Sequence, residues 1–123
     1  MSSTEKPAEV DRVIAVPVAE GRVAMHFGHC QEFALFDVDG KAQKVLNDRR
    51  LEPPGHQPGV LPQWLRDQGV NLVIAGGIGS RAQGIFASYG IEVIAGAPPE
   101  PPEAVVQSFL EGRLEAGQNI CDH

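Results

Sequence analysis

The residues best suited to chemistry in this 123-residue chain are its two cysteines and four histidines. The six-residue stretch MHFGHC contains His26, His29 and Cys30, and the closing tripeptide contains Cys121 and His123. Imidazole and thiolate are soft donors that suit zinc, copper(I) and iron–sulfur species better than calcium or magnesium. These five residues are therefore candidate metal ligands.

A sixth candidate is His56, which lies in the proline-rich segment PPGHQPG and could reach the same end of the fold. Cys121 and His123 stand at alternate positions, so an extended tail would point both side chains the same way. Plainer explanations compete with a metal site, because a free cysteine often packs as a small core residue and chain ends are usually poorly ordered. No C-x-x-C pair is present. A metal site is favoured because every cysteine and histidine lies outside the predicted regular elements.

A glycine-rich turn, AGGIGSRA, is a second candidate site. Unpaired N–H groups at a helix N-terminus can bind a carboxylate, a phosphate or an anionic cluster. The candidate cofactor-binding residues here are Gly76, Gly77, Gly79, Ser80 and Arg81. The turn also matches a relaxed dinucleotide fingerprint, but the acidic residue expected about 20 positions further on is missing at a strand end. Glycines that serve only a tight turn are the structural alternative.

The composition limits the classes of partner. The formal charge is −6, from 10 Lys+Arg against 16 Asp+Glu, and no basic cluster that could bind a nucleic acid is found. No apolar run approaches the roughly 20 residues of a membrane span, and the polar N-terminus lacks the pattern of a signal peptide. The sequence therefore predicts a cytoplasmic protein with no nucleic-acid or membrane partner, in which cysteines are thiols or metal ligands.

The chain divides into a polar leader predicted to be disordered (1–10), a single α/β domain (11–112) and a C-terminal tail (113–123). The apolar runs RVIAVPV and EFALFDVD predict strands, and Asp39-Gly40 followed by KAQKVLND predicts a two-residue hairpin turn. The first half is therefore predicted to be antiparallel.

The second half has the pattern of βα units. VNLVIAGG and IEVIAGA predict continuous apolar strands of a parallel sheet that is covered on both faces. Apolar spacing predicts three helices, which end at Gly69, Gly90 and Gly112. A mixed sheet with helices on both faces follows, and in such sheets ligands bind where loops converge at the strand ends.

The segments HFGHC-x-x-F, PPGHQPGVLPQWL, VNLVIAGGIGSRAQ, GIEVIAGA and N-x-C-D-H together resemble the dinitrogenase iron-molybdenum cofactor family. That family includes NifX, the core of NafY, the C-terminal domain of NifB and small stand-alone relatives in anaerobes such as the molybdenum–copper orange protein. The resemblance implies a ribonuclease-H-like fold with a five-stranded mixed sheet. It also implies that His26 contacts the cofactor and that Cys30, Cys121 and His123 are additional soft ligands.

Family members bind or carry preformed metal–sulfur clusters, so the resemblance implies a non-catalytic carrier. Its cargo would be an iron–sulfur, iron–molybdenum or molybdenum–copper species, and its partners would be cluster donor or acceptor proteins. Two alternatives remain from the residues themselves. One is a regulatory or interaction module with a mononuclear zinc or iron site, and the other is a nucleotide-binding protein that uses the glycine-rich turn.

Overall fold

The computed structural model describes residues 10–54, 60–115 and 117. Within these ranges the chain forms β1 (Arg12–Ala19), β2 (Arg22–Val23), β3 (Glu32–Asp39), β4 (Lys44–Leu51), α1 (Val60–Asp67), β5 (Leu72–Ile74), α2 (Ser80–Ser88), β6 (Glu92–Ile94) and α3 (Pro102–Leu110). A 3-10 turn, Phe27–His29, lies between β2 and β3. Nearly all of the predicted leader lies outside the described residues, as do His56, Cys121 and His123.

The strands form one mixed sheet in the order β4-β3-β1-β5-β6, with β2 paired to β1 beside this path. β1 pairs antiparallel with β3, and β3 with β4, whereas β1, β5 and β6 run parallel. The predicted antiparallel and parallel halves are confirmed. The expected number of five strands is wrong, because the described ranges contain a sixth, two-residue strand.

The additional strand arises from a tight turn at Glu20-Gly21. Both residues have positive φ, 54° and 78°, which is the conformation of a type I′ hairpin turn. The turn pairs Val18 with Val23 and Ala19 with Arg22. The chain is thereby reversed immediately after β1 and leads into the MHFGHC segment.

The predicted two-residue turn at Asp39-Gly40 is wrong, although the hairpin itself is confirmed. β3 ends at Asp39 and β4 begins at Lys44, so four residues form the loop. The Asp39 carboxylate accepts hydrogen bonds from the N–H groups of Lys41 (3.0 Å) and Ala42 (3.1 Å), which stabilises a wider turn. The left-handed conformation falls at Gln43, with φ 56°.

Two apolar layers lie on opposite faces of the sheet. Leu61 and Leu65 of α1 and Phe86 of α2 pack on one face, and Val105 and Val106 of α3 pack on the other. Strand side chains alternate between the two layers, as the pleat requires. The prediction of helices on both faces is confirmed, and none of the helices in the described ranges is both long and apolar enough to cross a membrane.

The three helices end as predicted, with positive φ at Gly69, Gly90 and Gly112. β6 differs from the prediction of a strand covered on both faces. It is an edge strand in which Glu92 is exposed and Val93 and Ile94 are half-buried. β5 lies between β1 and β6, and all three of its residues are buried.

Candidate functional site

The segment from Met25 to Cys30 lies at the carboxyl end of β5 and is fixed there by two backbone hydrogen bonds. The N–H of Phe27 donates to Gly77 O, and the N–H of Gly77 donates to Met25 O, both at 2.7 Å. The Phe27 ring is buried and contacts Phe33 and Phe86 edge to face, each with a centroid distance of 5.6 Å. An aromatic side chain thus holds the loop to the core while its neighbours face outward.

Glycines allow the chain segments at this edge to approach closely. A Cβ on Gly76 would lie 2.6 Å from Ala24 O, so only glycine fits without a backbone shift. The N–H of Gly96, just after β6, donates to Gly76 O at 2.6 Å, and the N–H of Gly117 donates to Gly96 O at 2.6 Å. The carboxyl ends of β5 and β6 and the described end of the tail therefore meet next to the histidine loop.

His26 and His29 are both exposed, and their ring centroids lie 5.7 Å apart at an interplanar angle of 61°. The N–H of His29 donates to His26 O at 3.1 Å, which keeps the two residues within one tight turn. A metal bound at about 2.0–2.1 Å to one nitrogen of each ring would separate the centroids by about 5.2 Å at a tetrahedral angle and about 6.4 Å in a linear arrangement. The observed separation lies between these limits and is therefore compatible in distance with one metal bound to both imidazoles.

Two neighbouring cavities lie at this edge, and the histidines line the larger one. The larger has a volume of about 370 Å³ and is lined by Ala19, Glu20, Arg22, Val23, Ala24, Met25, His26, His29 and Pro99. The smaller has a volume of about 150 Å³ and is lined by Val23, Ala24, Met25, Gly76, Gly77, Gly96, Ala97 and Pro99. Because four residues line both, the histidines and the glycine turn border neighbouring parts of one surface.

Cys30 is buried, with 6% of its surface exposed, and belongs to the apolar layer that contains Phe27. Desolvation by burial raises the pKa of the Cys30 thiol to about 11. The thiol is therefore protonated at neutral pH, and a metal would have to displace this proton. The interpretation that a cysteine outside the regular elements would also lie outside the core is wrong for Cys30.

The glycine-rich turn is divided by the fold. Gly76 and Gly77 line the smaller cavity, whereas Gly79, Ser80 and Arg81 line neither cavity. α2 begins at Ser80, with Gly79 at its N-cap. The N–H of Gly77 already donates to Met25 O, which leaves fewer N–H groups for an anion than the sequence indicates.

The described residues bring together His26, His29, Gly76 and Gly77 from the predicted set. No group of three or more His, Cys, Asp or Glu side chains in the described ranges could hold a metal ion. The sequence reasoning missed Met25, which is 61% exposed and lines both cavities. Its position next to His26 was the available signal.

The fold and this edge define a small α/β domain whose parallel strands end at a histidine-bearing surface. Over residues 11–112 the chain matches the family described as dinitrogenase iron-molybdenum cofactor, and it belongs to that family. The resemblance seen in the sequence is thereby confirmed.

Three relatives illustrate the similarity. An uncharacterized protein of Methanocaldococcus jannaschii, MJ0580, is 27% identical over 105 residues, which cover 83% of this chain and 88% of that protein. The crystal structure of PH0822 has a TM-score of 0.79 at 31% identity and covers 87% of this chain and 96% of its own. The apo form of the orange protein from Desulfovibrio gigas has a TM-score of 0.69 at 21% identity, covering 88% and 94%, and shares the fold.

Proposed function

We propose that the protein binds or carries a metal–sulfur cluster at the carboxyl edge of its sheet and turns over no substrate. Membership of the dinitrogenase iron-molybdenum cofactor family supports a role in binding related cofactors. The observation that carries the proposal is the pair of exposed imidazoles of His26 and His29, 5.7 Å apart beside a cavity of about 370 Å³. The cargo would be an iron–sulfur, iron–molybdenum or molybdenum–copper species, exchanged with donor or acceptor proteins.

The cavity is large enough for a cluster. Its volume falls within the range of about 300–1,000 Å³ that small-molecule ligands occupy. Arg22 lines the cavity with the two histidines and supplies a positive charge that an anionic cluster would need in a protein of net charge −6. Glu20, on the same lining, carries the opposite charge, so the lining is close to neutral and the two imidazoles are the proposed soft ligands.

The position of Gly117 supports a contribution from the C-terminal tail. Gly117 bonds to Gly96 at the edge where the histidines lie, and Cys121 follows four residues later. Four extended residues span at most about 13–14 Å. We therefore keep Cys121 and His123 as proposed ligands, with His56 as a further candidate and Cys30 as a ligand that would first have to lose its proton.

The test is anaerobic reconstitution of the full chain with iron and sulfide, and separately with thiomolybdate and copper(I), followed by metal and sulfide analysis and a visible spectrum. We expect a charge-transfer absorption in the wild type that is lost in the His26→Ala/His29→Ala variant. Gln63→Ala, an exposed change on α1, is the control and should leave the absorption unchanged. Equal cluster binding by the double-histidine variant would show that the histidine pair is not the site.

The two alternatives give different results in the same samples. One zinc or iron per chain without sulfide would favour the mononuclear module. Stabilisation of the protein by a nucleotide in a thermal-shift panel would favour the nucleotide-binding alternative, because a ligand that binds only the folded state raises the melting temperature. The ribonuclease-H-like classification and the cytoplasmic location remain predictions that accompany the carrier role.

A further inference from the structure

We propose that Met25 is a third metal ligand beside His26 and His29, and that the site therefore prefers copper(I) to zinc. All three residues line the same cavity of about 370 Å³. The inference rests on the proposed function, because it names the metal that the same histidine pair takes and adds a ligand to it.

The backbone holds the Met25 side chain at the surface. The Met25 carbonyl accepts the N–H of Gly77, while its neighbour Ala24 is 2% exposed and Phe27 is 6% exposed. Between these buried positions Met25 is 61% exposed, more than the other exposed large apolar residues of the described ranges, Val10 and Leu46. Met25 is therefore open to a ligand, and it directly precedes His26 in the chain.

The chemistry of the thioether distinguishes between metals. Methionine sulfur is a soft, uncharged donor that favours copper(I) over harder divalent ions. It needs no deprotonation, unlike the buried thiol of Cys30. A set of one thioether and two imidazoles therefore binds a soft monovalent cation without adding negative charge to the site.

The separation of the rings is compatible with a metal between them. A metal at about 2.0–2.1 Å from one nitrogen of each ring lies about 3.2 Å from each centroid, and the observed 5.7 Å then corresponds to a nitrogen–metal–nitrogen angle of about 126°. An angle wider than tetrahedral would leave room beside the two rings for a further ligand, and Met25 lines the same cavity. Structural zinc instead prefers cysteine, histidine and carboxylate ligands, for which a thioether is a poor substitute.

The first test compares metal affinities of the full-length wild type and Met25→Leu, which keeps an apolar side chain of similar size but removes the sulfur. Copper(I) is titrated anaerobically against a chromogenic chelator, and zinc against a zinc indicator. We expect Met25→Leu to bind copper(I) about tenfold or more weakly, about 1.4 kcal/mol per factor of ten, with zinc affinity unchanged. Equal copper(I) affinities, or no copper(I) binding by the wild type, would overturn the inference.

A direct measurement uses selenium in place of methionine sulfur. The chain has two methionines, so a selenomethionine-labelled sample of Met25→Leu reports Met1 alone. X-ray absorption at the selenium edge of the copper-loaded protein should show a copper–selenium contact in the wild type that is lost in Met25→Leu. Its absence from the wild type would remove Met25 from the site.

The same samples separate this inference from the proposed function. If His26→Ala/His29→Ala binds clusters and copper(I) like the wild type, the proposed function is wrong and Met25 has no site to join. If the histidines are required but Met25→Leu binds copper(I) normally, only the present inference is wrong. A Cys30→Ser variant tested in parallel should keep the copper–selenium contact, which excludes the thiol as the cause of the Met25 effect.

Discussion

Gly76 is the residue at which a single added methyl group should separate the histidine loop from the sheet. In Gly76→Ala the new Cβ would lie 2.6 Å from Ala24 O and 3.3 Å from Met25 Cα. Both neighbours are main-chain atoms, so the strain cannot be relieved by rotating a side chain. Gly76 O also accepts the N–H of Gly96, which restricts movement in the opposite direction.

Overpacking of this kind destabilises a protein by typically about 1–3 kcal/mol. Any replacement of glycine by alanine also restricts the unfolded chain, which stabilises by about 0.4–1 kcal/mol where the folded conformation is compatible. Gly28→Ala is the matched control, because Gly28 lies in the same loop and a Cβ there meets no atom within 4 Å. The difference between the two variants therefore isolates the steric term, and we expect Gly76→Ala to be less stable by about 1–3 kcal/mol.

Urea denaturation followed by circular dichroism measures both free energies of unfolding. If the dependence of the unfolding free energy on urea concentration is the same in both variants, the two unfold to the same extent and the difference lies in stability. The same Gly76→Ala protein should bind a reconstituted cluster more weakly, because the loop that carries His26 is displaced. If the two variants agree within about 0.5 kcal/mol, the scale of an ordinary surface substitution, the close approach is not a constraint and this reasoning is refuted.

Three further predictions concern neighbouring parts of the same edge. Gly96→Ala should lower the melting temperature more than Gly112→Ala, since both have positive φ (81° and 73°) but only at Gly96 would the Cβ overlap the Gly117 backbone; equal shifts would contradict the contact. In a Cys121→Ser background, alkylation of Cys30 should be slow at neutral pH and accelerate toward about pH 11, and fast alkylation at pH 8 would refute its burial. The stability linked to the raised pKa of Cys30 should be present below about pH 9 and lost as the pH rises to about 11. Phe27→Ala should lower the free energy of unfolding by about 3–5 kcal/mol in urea titrations, because it removes a buried ring that contacts two others. A loss below about 1 kcal/mol would show that the ring does not anchor the loop.

Local patterns predicted most of the fold. The apolar spacing around Leu61 and Leu65 and the glycines that end each helix identified the helices, because helix periodicity and the left-handed C-terminal residue are properties of a few adjacent residues. The antiparallel pairing in the first half followed from its hairpin connection, and the parallel pairing in the second half followed from its helical connections. The turn types were less accessible: the type I′ turn fell at Glu20-Gly21, where the sequence carries no strong signal, and the Asp39 carboxylate favoured a wider loop than Asp39-Gly40 suggested.

The sequence by itself determined the family, the mixed sheet and the presence of two histidines in one short loop. Only the tertiary structure decided which donors share an environment, because burial and outward facing depend on contacts between segments distant in the chain. Cys30 follows His29 directly, yet it packs into the core with a pKa near 11, while Met25 remains at the surface. Likewise the approach of Gly76 to Ala24 and of Gly117 to Gly96 joins three segments at one edge, which no local pattern encodes.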